Sequence, residues 1–296
     1  MSWRIKVPAT TANLGAGFDS IGVALDLYLF IKVSAADEWA FVSHSKHLHD
    51  IPKGKDNFIY KIAQQVAERY NHSDLPACHV ELFSDIPLAR GLGSSATAIA
   101  CGIELANLLL DLQLSDHDKV QIATEIEGHP DNVAPAILGG AVVGHYEDVV
   151  QYVKVDVSNV SFVAVIPDFE LKTKDARAVL PDTFSYSDAV RASSVANVST
   201  AALVKEDWAL LGQMMNQDHF HEPHRKALIP HYDAVKTLVG HHAYGVYISG
   251  AGPTLMVLVD EAMAKKHLQE WREAMPEHEW LILQPVNQGI DVVDGY

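Results

Sequence analysis

The run Pro87-Leu88-Ala89-Arg90-Gly91-Leu92-Gly93-Ser94-Ser95-Ala96-Thr97 has the composition of a loop that holds an anion. Gly91 and Gly93 permit backbone angles that a Cβ forbids and let the chain come close to a ligand. From Ser94 the pattern turns helical, so the unpaired N–H groups of a helix start would face the same anion. The two serine hydroxyls add donors, and one of them can face Mg2+. The run lacks the lysine of a G-x-x-x-x-G-K-[ST] loop and is not the G-x-G-x-x-G of dinucleotide binders. Two glycines before a helix also form ordinary tight turns, and the glycines alone leave both readings open.

The elements that must position this loop can be read from periodicity. Leu25, Leu27, Leu29, Ile31 and Val33 alternate with Asp26, Tyr28, Phe30 and Lys32, the signature of a half-buried strand. Asp56 is expected to cap a helix carrying Ile59, Ile62, Val66 and Tyr70. A strand over 79–84 leads into the loop, and the helix from Ser94 carries Ile99, Ala100, Ile103 and Leu105. Ser115 opens a further helix, with Asp118 in the capping-box position, that stops at Gly128. β-Rich segments follow at 139–146 and 149–157, and Ser158-Asn159 marks the expected boundary between domains 1–158 and 159–296. Beyond it come a strand at 162–166, a helical stretch over 175–240, strands at 244–249 and 255–259, a helix from Asp260 and a strand near 280–283. Strands and helices mix without strict βαβ alternation, which predicts an α+β fold.

Composition limits the partners. The chain has 296 residues and a formal charge of −16, so its long-range field repels nucleic acid and anionic lipid, and a bound phosphate must be held by local donors. Cys78 and Cys101 show no metal or redox spacing, and Cys101, in an apolar run, reads as a buried structural thiol. The first residues lack the apolar core of a signal peptide, and no apolar stretch approaches the ~20 residues that span a bilayer. A soluble, cytoplasmic protein is expected. The 16 histidines include the groups His44, His47, His49 and His219, His221, His224, but neither has the i, i+4 spacing of a helical metal pair.

With the proline before it and Ser-Ser-Ala after it, the glycine loop resembles the phosphate loop of the GHMP kinases. Val7-Pro8-Ala9-Thr10-Thr11-Ala12-Asn13-Leu14-Gly15-Ala16-Gly17-Phe18-Asp19 is similar to the first motif of that superfamily in its homoserine kinase form. Ser249-Gly250-Ala251-Gly252-Pro253-Thr254 is similar to the third. The segment 125–136, with His129-Pro130-Asp131-Asn132, narrows the resemblance to the homoserine kinases. That resemblance implies a two-domain fold, the first domain like domain 2 of ribosomal protein S5 and the second ferredoxin-like. It also implies ATP and Mg2+ as cofactors, L-homoserine as substrate and O-phospho-L-homoserine as product, on the route to threonine. A homodimer is left open.

Roles carry over residue by residue. The whole run from Pro87 to Thr97 would cradle the triphosphate, and Asn57 would help hold the nucleotide or simply cap a helix. Glu125 and Ser95 are the expected Mg2+ ligands, with Glu127 and Ser94 as the competing choices. Asp19 would neutralise the substrate ammonium, Arg177 and Arg225 would clamp its carboxylate, and Asn13 and His129 would complete the pocket. Asp131 and Asn132 stand where relatives carry a catalytic acid or an asparagine, and the expectation is that no general base acts. The alternatives are a kinase for another small alcohol and a nucleotide-binding regulator without catalysis.

Overall fold

The computed structural model describes residues 2–48 and 50–295, arranged on two sheets. Strand β1 (Ser2–Ala12) runs antiparallel to β2 (Ile21–Ala35), and the alternation over 25–33 follows from that pairing. Leu25, Leu29, Ile31 and Val33 are buried while Asp26 is exposed. β2 also pairs with β4 (Cys78–Ser84), which takes β3 (Ala40–Ser43) as a parallel neighbour. At its start β2 pairs with β5 (Ala141–His145), which carries β6 (Gln151–Val155).

The second sheet is antiparallel throughout, in the order β10-β7-β9-β8, from β7 (Ser161–Ile166), β8 (Gly245–Ile248), β9 (Leu255–Val259) and β10 (Glu279–Leu283). Helices separate its first strand from its second and its third from its fourth, which is the ferredoxin-like arrangement. The chain crosses from one sheet to the other between Val155 and Ser161, and β11 (Asp291–Asp294) returns to pair with β1. β3 and β11, at four residues each, are too short to show a periodicity and escape a pattern-based reading.

Helix α1 (Phe58–Arg69) begins one residue later than expected. Asn57, not Asp56, is its cap: the Asn57 side chain accepts from the Ile59 N–H, and Asp56 pairs instead with Lys61 at 3.2 Å. Helix α2 (Ser94–Leu110) lies at the centre of the first core, buried on most of its surface. A Cβ at Gly102 would stand 2.7 Å from Ile62 Cβ, so glycine there lets α1 approach. Cys101 is fully buried, and desolvation pushes its thiol above the ordinary range, as a structural cysteine requires. Helix α3 (Asp116–Glu127) has the Ser115/Asp118 capping box and ends at Gly128 in the left-handed region.

Helix α4 (Pro130–Leu138) carries two prolines, which hide it from a sequence reading. Pro130 sits in the first turn, where its missing N–H costs nothing. Pro135 cannot donate to the carbonyl of Asp131, and β2 lies against that freed oxygen: a Cβ at Gly22 would come within 1.6 Å of it. The expected helical stretch resolves into α5 (Thr173–Ala178), α6 (Tyr186–Val204), α7 (Trp208–Met215), α8 (Glu222–Arg225) and α9 (Tyr232–Val239). Helix α10 (Glu261–Ala274) is capped by Asp260 and packs Trp271 into a second core with Val163, Val235, Val257 and Trp280. Among the described residues, no helix is long and apolar enough to cross a membrane.

Gly22→Ala should therefore force α4 away from β2 and lower stability by about 2–3 kcal/mol, the cost of overpacking a tight site. Urea unfolding should show a lower midpoint at an unchanged slope.

Candidate active site

Three turns far apart in sequence are laced together at one place. The Asn13 side chain donates to the carbonyl of Gly250 at 2.8 Å, and the Gly250 N–H donates to Ala12 at 3.2 Å. The Ser249 hydroxyl donates to the Gly91 carbonyl at 2.6 Å, Thr254 N–H to Arg90 at 3.3 Å, and Thr10 N–H to Leu92 at 3.3 Å. Gly91 and Gly93 have φ of +81° and +71°; a Cβ would stand 2.3 Å from the Ser249 oxygen at the first and 2.0 Å from Thr10 Oγ1 at the second. Both the conformation and the contact require glycine.

Gly93 caps α2 without a side-chain hydrogen bond, so the first-turn N–H groups are left for a ligand. They border a cavity of about 250 Å³ lined by Gly91, Ser94, Ser95, Glu127, Asn132 and Gly250. A second, apolar cavity of about 390 Å³ shares Ala89, Ser94 and Ser95 with the first and is walled by Leu29, Ile51 and Phe58. Asn57 lines it too, although its side chain is spent on the cap and on the Pro52 carbonyl at 3.0 Å. Not all of the loop faces these cavities. Arg90 turns to the second sheet, bonding the Pro167 carbonyl at 3.1 Å and pairing with Glu170 at 3.5 Å, and with Pro87 it lines a separate cleft. Leu88 borders the apolar cavity, Leu92 is buried, Ala96 lines the first cavity, and the Thr97 hydroxyl returns to Ser94 at 3.0 Å.

The two acids at the end of α3 point apart. Glu125 is bound by Arg69, which also donates at 3.3 Å to its second oxygen, and by Gln121 at 2.7 Å. The Arg69 bond leads in holding its carboxyl below the usual range. Glu127 instead lines the loop cavity and accepts from the Ser95 hydroxyl at 3.5 Å; burial raises its pKa, with Asp131 adding to the effect. Glu125, the expected Mg2+ ligand, is engaged by Arg69 and Gln121, and the carboxylate beside Ser95 is that of the competing choice, Glu127.

Charged side chains gather next to the glycine turns. Asp19, at the end of the β1–β2 turn, takes two bonds from Arg177, at 2.8 and 3.1 Å. His129 caps α4 and bonds the buried Asp131, and Asn132 bridges outward: it donates to Asp131 at 3.2 Å and accepts from Thr10 Oγ1 at 2.9 Å. Desolvation favours the neutral His129 ring, but the Asp131 bond, with Asp19 and Glu127 nearby, overcomes it and raises the imidazolium pKa. Arg225 is buried, donating to the carbonyls of Ala176 and Gly250 at 3.1 and 3.0 Å, and burial together with Arg177 lowers it to about 10. Its short helix is well anchored. Asp218 accepts the N–H groups of Phe220, His221 and Glu222, and Glu222 accepts the Ile248 N–H at 2.9 Å.

Asp19, His129 and Asp131 are the one group of three ligand-type side chains that converges within 4.8 Å among the described residues. Within this group Asp131 is bonded to His129, and Arg177 is bonded to Asp19. His44 pairs with Glu81 and His221 is buried against the Gly15 carbonyl, while His49 lies outside the described residues.

Residues 57–140 match the family model for the GHMP kinases N terminal domain, and residues 199–277 that for the GHMP kinases C terminal. A homoserine kinase of Halalkalibacterium halodurans is 45% identical, over 99% of this chain and 95% of its own. One from Staphylococcus aureus is 48% identical, over 86% of this chain and 85% of its own. The solved homoserine kinase of Cytophaga hutchinsonii superposes with a TM-score of 0.85 at 30% identity, covering 99% of this chain and 97% of that one. The chain belongs to the homoserine kinase family of GHMP kinases.

As a GHMP kinase the chain is a phosphotransferase with ATP as co-substrate. The two-domain α+β fold agrees with the one its motifs imply, and a mevalonate kinase structure shares that fold at a TM-score of 0.73 and 17% identity. Several side chains at the kinase site carry no signal of their own in one sequence. Lys172 and Thr173 line the loop cavity from α5 and the residue before it. Thr10 and Thr11 lie within the first motif, but their partners, Asn132 for one and Tyr247 and Ser249 for the other, are visible only in the fold.

The raised His129 pKa has a signed consequence. Its contribution is fully present below the ordinary value of 6.5 and is lost as pH rises through the higher folded value. The stability difference between wild type and His129→Gln, measured by urea unfolding, should be largest below pH 6.5 and shrink above it.

Proposed function

We propose that the chain transfers the γ-phosphoryl group of ATP to the hydroxyl of L-homoserine, giving ADP and O-phospho-L-homoserine in the cytoplasmic synthesis of threonine. One observation carries the reading: a buried guanidinium with no direct ion pair among the described residues, Arg225, stands with the Asp19, His129 and Asp131 cluster beside a phosphate cradle, and both share the Gly250 turn. A zwitterion with a hydroxyl is the ligand that satisfies both. On this reading the chain divides into domains 1–158 and 159–296, with β11 at the end of the second returning to the first sheet.

The apolar cavity takes the purine, with Asn57 holding the wall by its backbone bonds rather than by a contact to the base. Gly91 to Ser95 and the first-turn amides of α2 take the phosphates. Arg90 holds the loop against the second sheet. Glu127 and Ser95 supply hard oxygens at the cavity, and the desolvated Glu127 charge fits a divalent cation such as Mg2+. That ion, when bound, neutralises charge on the phosphates.

For the amino acid, Arg225 and Arg177 receive the carboxylate and Asp19, released from Arg177, receives the ammonium. Asn13 fixes the Gly250 turn and Asp19, donating to the first and accepting the Asp19 N–H at 3.1 Å. Asp131 is almost wholly buried and its Oδ1 is bonded to both His129 and Asn132, and on this reading it orients those two rather than taking a proton. The hydroxyl proton goes to the γ-phosphate directly, and catalysis consists of alignment and charge neutralisation.

Three measurements test this. Glu127→Gln should lower kcat about 100-fold, the scale of losing one group that stabilises transition-state charge, while Glu125→Gln, which removes a surface pair, should stay within about threefold. Coupled ADP release should depend on homoserine, and turnover unaffected by omitting it would overturn the substrate. Asp131→Asn should keep the acidic limb of the pH-rate profile, whereas its loss would identify Asp131 as a base.

A further inference from the structure

We propose that His221 is a positioning residue that holds the Arg225 guanidinium as an uncharged acceptor, so that no direct ion pair takes the place of the substrate carboxylate. The inference rests on the proposed reading of Arg225 as the carboxylate ligand.

His221 is fully buried at the start of α8. Its ring stacks on Phe18 with centroids 5.1 Å apart, and the Arg225 guanidinium lies over the same Phe18 ring at 4.9 Å. Nε2 is 2.9 Å from the Gly15 carbonyl, and Nδ1 is 3.4 Å from Arg225 Nη1. A carbonyl only accepts, so Nε2 bears the hydrogen; a guanidinium only donates, so Nδ1 presents its lone pair. The neutral Nε2–H tautomer satisfies both neighbours, and a protonated ring would aim an N–H at a cation. Desolvation keeps the ring neutral, pushing its pKa down to about 4; Arg225 works in the same direction, while Asp218, at 3.6 Å, and Asp19 oppose it.

The acceptors around Arg225 are thus all neutral: the carbonyls of Ala176 and Gly250 and the His221 ring. Buried cations are ordinarily paired with an acid, and among the described residues Arg225 has no ion pair. Arg177, by contrast, is bonded twice to Asp19. Among the described residues Arg225 is bonded through Nε and Nη1, which leaves Nη2 for a ligand. His221 also ties the guanidinium to Gly15 in the first motif, while the Gly250 bond ties it to the third. An acid at position 221 would fix Arg225 equally well and neutralise it.

The test separates orientation from charge. His221→Asp places a carboxylate beside Arg225 and should raise KM for homoserine at least about tenfold, the scale of a charged hydrogen bond, with KM for ATP within about twofold. His221→Asn, which keeps a neutral acceptor near the Nδ1 position, should recover most of the homoserine KM, and His221→Leu should fall between. A homoserine KM unchanged in His221→Asp, equal losses in the Asn and Asp variants, or a parallel rise in KM for ATP would each overturn the proposal. The wild-type enzyme gives an independent measurement: histidine 15N shifts should report the neutral Nε2–H tautomer at position 221 from pH 6 to 8, and a cationic ring or the other tautomer would overturn it. Arg225→Gln distinguishes the two levels. If it leaves the homoserine KM unchanged, the carboxylate reading itself fails; if it raises that KM while His221→Asp does not, only the role of His221 fails.

Discussion

The carbonyl of Gly250 is the point on which the site depends, because it accepts from Asn13 on one side and from Arg225 on the other. One oxygen thereby fixes the first motif, the third motif and the buried guanidinium relative to one another. The phosphate loop joins the same junction through Ser249 and Gly91. Such close approach of backbones leaves no room for side chains, so the glycines at 91 and 93 are set by contact distances as much as by positive φ. Their partners belong to different sheets, Thr10 at the end of β1 and Ser249 just after β8, and the site forms only where the two sheets meet.

Electrostatics follow from that construction. A chain of charge −16 cannot attract a triphosphate at long range, and on the proposed reading the phosphate cradle relies instead on amide N–H groups, hydroxyls and a helix start. Its one carboxylate, Glu127, is held in a desolvated position that resists ionisation, a cost that a cation would reverse. The neighbouring zone is built the opposite way, from charged side chains: Asp19 with Arg177, His129 with Asp131, and Arg225 with neutral acceptors alone. Two kinds of ligand charge are thus met by two kinds of architecture a few residues apart.

Much of this was legible in the sequence because it depends on local chemistry. The strand at β2, the cap at Ser115 and the helix after Gly93 follow from periodicity and capping, and the glycine strings carried the family resemblance. What was not legible depends on long-range packing. Glu125 and Glu127 are two residues apart on one helix, and only Arg69, 56 residues before Glu125, reveals which of them is already paired. Asn57 displaced Asp56 as a cap because its amide both accepts from Ile59 and donates to Pro52, a second bond that a carboxylate cannot make. The helix over 130–138 was hidden by its prolines, and its acceptor at Asp131 makes sense only against Gly22.

Asp131 shows how the two zones are joined. Its backbone carbonyl packs against β2, its carboxylate holds His129 toward the charged cluster, and its bond to Asn132 leads through Thr10 to Gly93 and the loop. Its Oδ1 is shared by two neighbours and its side chain is almost wholly buried, and on the proposed reading it takes no proton from the substrate. The same engagement makes it the part that transmits the position of one zone to the other. In phosphoryl transfer through a loose transition state little covalent help is needed, and the distance and angle between hydroxyl and phosphate matter most. On the proposed reading, the buried acid serves the reaction by holding that geometry.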